Sequence, residues 1–197
     1  HCLTASLIYG LDIKDVTDVM RDAAKRINFG IIYGLSAYGL SRDLSIPLQE
    51  AQAFIDAYFN RYPKVQDYIN KQIRKAQEDG FVTTLLGRRR YIPEIKDKSQ
   101  QIRQFAERKA INTPVQGSAS DLIKLAMIKI DEDIKSKKLK SRMILQIHDE
   151  LLFNVYSDEA KDFKNLVCQR MENVLRLDVP VCVDIKAGKN WLEMESV

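Results

Sequence analysis

A chain of 197 residues is long enough for one or two domains with a real core, and 45% hydrophobic with 29% charged residues is an ordinary globular balance. The net charge of +4 is mild, so any affinity for nucleic acid has to come from clustered charge rather than from an overall field. Cys2, Cys168 and Cys182 lie far apart with no CxxC, and two histidines are too few for a zinc site, so the cysteines read as free thiols of a reducing compartment.

No apolar run reaches membrane-spanning length and no signal-peptide pattern is visible. The chain starts with His1 rather than Met, which fits a piece of a longer polypeptide. "HCLTASLIYG" looks like the tail of a helix stopped at Gly10. Thr17 or Asp18 can cap the next helix, which carries "AAKRINFGIIYG". Pro47 suits the first turn of a helix whose apolar face is Ala51, Phe54, Ile55 and Tyr58. Pro63 does the same for Val65, Ile69, Ile73 and Ala76, and Gly80 closes that helix. "FVTTLLGRRRYIP" reads as two short extended pieces around Gly87. Ser99 can cap a helix running to about Ile111, which the pre-proline bias at Thr113 helps to end. A new helix is then expected from a capping box of Ser118 and Asp121, with Ile123, Met127, Ile130 and Ile134 as its stripe.

Beyond "KSKKLKSR" (135–142), a solvated loop or a DNA contact, the period changes. "MILQIHDELLFNV" alternates about a three-residue tip, with Met143, Leu145, Ile147, Leu151, Phe153 and Val155 on buried faces of a hairpin. A capped helix follows from Ser157, with Phe163, Val167, Met171 and Val174 inward, and "VCVDIKA" is expected as a third strand. The carboxy-terminal third therefore reads as a small antiparallel sheet backed by helices.

Three constellations carry possible chemistry. Arg21, Lys25, Phe29 and Tyr33 are spaced by four; each step climbs about 6 Å and turns about 40°, so they form one winding stripe roughly 18 Å long. Its amino-terminal end is cationic, where the helix dipole adds positive charge, and its far end is aromatic. That polarity matches a nucleoside triphosphate; the alternative is an amphipathic helix with both rings in a core. Gly30 and Gly34 inside such a helix point to a close approach by another group. At the hairpin tip, "IHDE" sets Asp149 beside Glu150. Adjacent carboxylates are either solvated turn formers or ligands of a hard divalent cation, and one pair is thin for a complete two-metal site. Arg108, Asn112 and Gln116 recur at steps of four across the expected helix end, a surface face or a set of donors to sugars, phosphates and minor-groove acceptors. "GRRRY" (87–91) adds a compact positive cluster suited to phosphates.

"RDAAKRINFGIIYG" resembles the second polymerase motif of family A DNA polymerases, the bacterial polymerase I type, and "QIHDE" resembles their third. "LLGRRRYIPEI", "AERKAINTPVQGSASDLIKLAM" and "GKNWLEM" match further stretches in the family's order, so the resemblance covers nearly the whole chain. It implies an α+β fold: mostly helical fingers over 15–110, with palm segments at 1–14 and 111–197, the latter built on a small antiparallel sheet. It implies template-directed addition of deoxynucleotides to a primer 3′-hydroxyl, with primer–template DNA and deoxynucleoside triphosphates as partners. By it, Arg21 and Lys25 contact the triphosphate, Lys25 protonates the leaving pyrophosphate, Phe29 packs on the sugar, and Tyr33 packs on the nascent pair. Ser36 touches the template, Arg108, Asn112 and Gln116 hold the primer–template, and His148 lies near the primer end. Asp149 binds catalytic Mg2+ and Glu150 plays a lesser part.

Two departures qualify the resemblance. Asp22 stands where many relatives have a second Arg, which makes the triphosphate end less positive. The family's first motif is absent, and with it a second metal-binding carboxylate, so this chain alone is expected to be inactive and to need an amino-terminal part as partner. A cytoplasmic location is implied. The alternative function is a non-catalytic nucleic-acid-binding module that retains the fold; keeping Lys25, Phe29, Tyr33 and Asp149 together argues against it.

Overall fold

The computed structural model describes residues 1–197, an α+β chain that forms two compact units, His1–Gly117 and Ser118–Val197. In the first unit, α1 (Cys2–Tyr9) stops at Gly10, and the Thr17 hydroxyl accepts the Met20 N–H at 3.3 Å to cap α2 (Asp18–Ile32). Ser36 caps α3 (Ala37–Leu44) by accepting the Gly39 N–H. Pro47 precedes α4 (Leu48–Arg61), and Pro63 opens α5 (Pro63–Asp79), where a missing N–H costs nothing.

The buried side of α2 is Ala24, Ile27 and Ile31. Ile27 and Ile31 meet Leu40, Ala51 and Tyr58, with Val65 and Ile69 of α5 packed alongside. Each large aliphatic side chain sealed there contributes about 1.5–3 kcal/mol through burial. A second core joins Ala76 of α5 and Val82 of β1 (Phe81–Thr83) to Ile92 and Ile95. These last two follow β2 (Arg89–Tyr91) and pack with Ala106 and Ala110 of α6 (Gln100–Ser136). β1 and β2 pair antiparallel about Gly87, as the sequence predicts.

The expected helix break near Thr113 does not occur. One helix, α6, runs from Gln100 to Ser136 with Pro114 inside it, and Ser118 and Asp121 are mid-helix rather than a capping box. A proline interrupts one rung of the ladder, but side-chain and tertiary bonds on either side can compensate, and local preference then yields.

In the second unit, Ile130 packs with Phe163, Leu166 and Val167 of α7 (Ala160–Glu172), under Met143, Leu151 and Phe153 of the hairpin β3 (Arg142–Ile147) and β4 (Glu150–Asn154). Arg170 grips the Asp133 carboxylate through two hydrogen bonds, and Phe153 meets Phe163 edge-on at 5.2 Å. The hairpin differs from expectation in two ways. Its tip is two residues, His148 and Asp149, because Ile147 pairs with Glu150. A register irregularity between Met143 and Leu145 places Leu145 opposite Leu152, and Leu145 and Val155 are exposed instead of buried. Such a bulge flips the alternation beyond it.

The third strand is also missing from this sheet. Residues 181–185 alternate half-buried and exposed but join no ladder: the Val183 N–H donates to the Glu172 carboxylate, the Ile185 carbonyl accepts the Val197 N–H, and the short ladder itself is β5 (Lys186–Ala187) with β6 (Glu195–Ser196). Alternation reports a two-sided environment, whereas a ladder needs a neighbour's free edge. The basic run is not uniformly solvated either, since Ser141 is fully buried. No helix is long and apolar enough to cross a membrane, and all three cysteines are free.

Candidate functional site

The exposed side of α2 faces a cleft of about 670 Å³ in the first unit. Lys25, Phe29, Gly30 and Tyr33 line it, with Gly34, Leu35 and Ser36 from the segment that follows the helix. Phe29 and Tyr33 are 45% and 40% exposed, so neither ring belongs to the core. They lie nearly parallel, and His1 meets Phe29 at 5.7 Å on a tilted plane. The buried positions of α2 interleave with this stripe, which is how one helix serves both a core and a cleft.

Charge in the cleft is mixed. Lys25, Arg26 and Arg108 face it, against Asp22 and Asp43. Arg26 is held by the Asp43 carbonyl at 2.7 Å, whereas Lys25 makes no ion pair within the chain. Arg21 does not line the cleft; it sits 3.8 Å from Asp22, both exposed. Asp22 thus lines the wall beside Lys25 and offsets part of its positive field.

Both glycines admit the expected close approach, made by the chain's own side chains, but Gly34 does so from outside the helix. Gly30 makes room for the chain's own Leu35, whose Cδ2 would lie 2.6 Å from an added Cβ. Gly34 is not within the helix: it follows the cap Tyr33 with φ 72°, and an added Cβ would meet Cγ of Arg108 at 2.8 Å. The close approach at Gly34 thereby seats Arg108 beside the turn.

Because α6 is continuous, Arg108, Asn112 and Gln116 form one stripe, about 12 Å from first to last. Of the three, only Arg108 reaches the cleft. The Asn112 amide oxygen is buried without a hydrogen-bond partner in the chain, and Gln116 is exposed. The arginines of "GRRRY" are partly consumed internally: Arg88 donates to the Gly117 carbonyl and Arg90 to the Thr113 hydroxyl, while Arg89 lies over the Phe81 ring.

In the second unit, the tip residues His148 and Asp149 and the adjoining Glu150 are all exposed. His148 has φ 53°, the single positive φ that a two-residue turn of the type II′ kind places at its first position. The Asp149 and Glu150 side chains make no ion pair or hydrogen bond, so both carboxylates are available to a ligand. The chain brings no third His, Cys, Asp or Glu to them. One carboxylate pair at a hairpin tip fits part of a hard-cation site, not the whole of one.

Arg26, Asp43 and Leu35 were not legible as cleft residues. The Arg26–Asp43 contact spans 17 positions between two helices and has no local signature. For Leu35 the signal was present in its flanking glycines at 30 and 39, between which its side chain is wedged.

Comparisons with known proteins agree along the chain. The description of DNA polymerase family A matches residues 1–193. DNA polymerase I of Caldicellulosiruptor bescii is 49% identical over 193 residues, covering 98% of this chain and 23% of that protein. DNA polymerase I of Bacillus subtilis is 47% identical over 193 residues, again 98% of this chain and 22% of the relative. Among solved structures, the POL domain of Pol1 from M. smegmatis, in complex with DNA primer-template and dNTP, superposes with a TM-score of 0.88 at 45% identity. That match covers 91% of this chain and 32% of the other. The chain spans less than a quarter of the length of these curated relatives.

Proposed function

The chain belongs to DNA polymerase family A, and on that premise we propose that it serves template-directed DNA synthesis as the fingers and part of the palm of a DNA-directed DNA polymerase. The reaction is in-line attack of a primer 3′-hydroxyl on an incoming deoxynucleoside triphosphate, with pyrophosphate leaving. Residues 15–110 are the fingers in this reading, and 1–14 with 111–197 are palm. The observation that carries it is the single cleft where an unpaired Lys25, two exposed stacked rings and Ser36 lie along one helix and its turn.

Lys25 binds the triphosphate and holds a proton that it can pass to the departing pyrophosphate. Phe29 packs against the sugar and Tyr33 against the nascent pair. Arg21 adds long-range positive charge at the amino-terminal end of α2, and Ser36 meets the template. On α6, Arg108, Asn112 and Gln116 offer donors to minor-groove acceptors and to the backbone of primer and template, a groove whose acceptors are largely independent of sequence. His148 orients the primer end, with Glu150 beside it. Asp149 is the residue that would hold Mg2+, which when bound neutralises developing charge on the phosphates; a second carboxylate has to come from outside this chain. Three free thiols fit a reducing compartment such as the cytoplasm.

The test is primer extension. The purified chain should not extend a primer by itself, and adding a polymerase segment that carries the family's first motif should restore synthesis. Robust extension by the chain alone, with contaminating polymerase excluded, would show that the site is misassigned.

A further inference from the structure

We propose that Arg88 and Arg90 are positioning residues that hold the Asn112–Gln116 face of α6 in register across Pro114, and thereby set how that face meets a DNA duplex. The duplex part rests on the reading of α6 given above; the clamp itself rests on geometry alone.

Pro114 lies between the two contact residues. Without an N–H it cannot bond the Ala110 carbonyl, and its ring crowds that turn, so the helix can bend there and separate Asn112 from Gln116. Bonds from outside the helix span this weak point. Arg90 Nη1 donates to the Thr113 hydroxyl at 3.1 Å, and that hydroxyl donates on to the Lys109 carbonyl at 2.7 Å. Arg88 Nη2 donates to the Gly117 carbonyl at 3.0 Å. On a further element, the Tyr68 hydroxyl donates to the Ile111 carbonyl at 3.4 Å. The two guanidinium groups therefore grip the residue before the proline and the third residue after it.

The base of the clamp is fixed. Thr84 and Arg88 exchange backbone and side-chain bonds at 3.0 and 3.1 Å across the tip of the β1–β2 hairpin, and Val82 and Ile92 are fully buried at its root. The hairpin also lies against the helix backbone at Gly117, where an added Cβ would stand 2.6 Å from Cγ2 of Thr84. Alternation along the strand sends Arg89 the other way, over Phe81 at 4.7 Å, so the cluster divides into two struts and one outward cation.

A struts-only role and a direct phosphate role make opposite predictions. Duplex affinity is measured by fluorescence anisotropy over a salt series, and hydrogen–deuterium exchange is followed over residues 109–118. The variants are Arg88→Ala, Arg90→Ala, Arg90→Lys, Thr113→Val, Asn112→Ala and Gln116→Ala in the 197-residue chain, with circular dichroism confirming the fold of each. Arg88→Ala and Arg90→Ala should each weaken binding about tenfold, the scale of a hydrogen bond from a charged group. The slope of log affinity against log salt should stay unchanged, because no phosphate contact is lost. Thr113→Val should reproduce Arg90→Ala without altering charge, Arg90→Lys should recover part of the loss, and exchange over 109–118 should rise in Arg88→Ala, Arg90→Ala and Thr113→Val. A slope reduced by about one in Arg88→Ala or Arg90→Ala would overturn the proposal, as would unchanged exchange. Duplex binding that Asn112→Ala and Gln116→Ala weaken but Arg90→Ala does not would overturn it alone. Failure of the unaltered chain to bind duplex would overturn the polymerase reading of this face, and the duplex role of the clamp with it.

Discussion

The rings of Phe29 and Tyr33 stack with centroids 6.3 Å apart and planes 16° from parallel, one helical step apart along the exposed side of α2. Lys25 lies one step further toward the amino terminus, so a cation and a π surface are offered to the same cleft at different depths. Their losses should differ. Phe29→Ala should weaken a nucleoside and its triphosphate by a similar factor, roughly 2- to 10-fold for a lost aromatic contact. Lys25→Ala should weaken the triphosphate and leave the nucleoside unchanged. Calorimetric titration with both ligands checks this, and equal losses in Lys25→Ala would mean that Lys25 does not face phosphates.

Gly34 combines a φ of 72° with a Cβ direction blocked by Arg108. Gly34→Ala should therefore destabilise the first unit by about 1–2 kcal/mol from backbone conformation alone, and more if the Arg108 stem cannot shift. Thermal melting reads the first effect. Pairing Gly34→Ala with Arg108→Ala reads the second: relief of part of the loss in the double variant is expected if the side chain is the obstacle.

Asp149 is exposed at a turn and makes no bond that a neutral amide would break. In an enzyme reassembled with the missing carboxylate, Asp149→Asn should retain the hairpin and most DNA affinity. Synthesis should fall by several orders of magnitude, because in the proposed function a preorganised charge leaves the reacting centre. Parallel losses in DNA binding and in rate would assign the tip a structural role.

Glu159 fastens the start of β3 to the 3₁₀ turn before α7. Its carboxylate accepts the N–H groups of Lys140 and Ser141 at 2.8 and 2.9 Å and the Ser141 hydroxyl at 2.6 Å. The bond from the Lys140 backbone, followed by that from the Ser141 hydroxyl, lowers its pKa below the ordinary 4.5. A carboxylate whose folded pKa is depressed adds stability above its unfolded value, and that stability disappears as pH falls through the folded value. Glu159→Gln should accordingly be less stable than the unaltered chain at pH 7, and the difference should close on acidification below about 4.5. Denaturant titrations at a series of pH values measure it, and a pH-independent difference would contradict the assignment. Asp133, lowered by its bonds from Arg170, contributes with the same sign, so acid sensitivity should persist in part in the variant.

Local chemistry determined much of this protein from its sequence. The Thr17 cap, the prolines before or at the start of α4 and α5, the Gly87 hairpin and the position of the acidic tip each depend on a few neighbouring residues, and each stands where those residues put it. The Lys25, Phe29 and Tyr33 part of the stripe on α2 was legible for the same reason, since four-residue spacing fixes which side chains share a helix face, whereas Arg21 one step further lies outside the cleft. Whether that face was core or cleft was not legible, because it depends on Leu40, Ala51 and Tyr58 arriving from other helices to cover the opposite side. Tertiary contacts alone decided the passage of α6 through Pro114: the sequence reads a stop, and bonds from Arg90 to Thr113 before the proline and from Arg88 to Gly117 after it are compatible with a continuous helix. They also decided the fate of residues 181–185, whose alternation is that of a strand but which do not pair with the β3–β4 hairpin. A helix closes its hydrogen bonds within its own segment, whereas a strand, or a helix broken by proline, has to find partners that sequence spacing does not name.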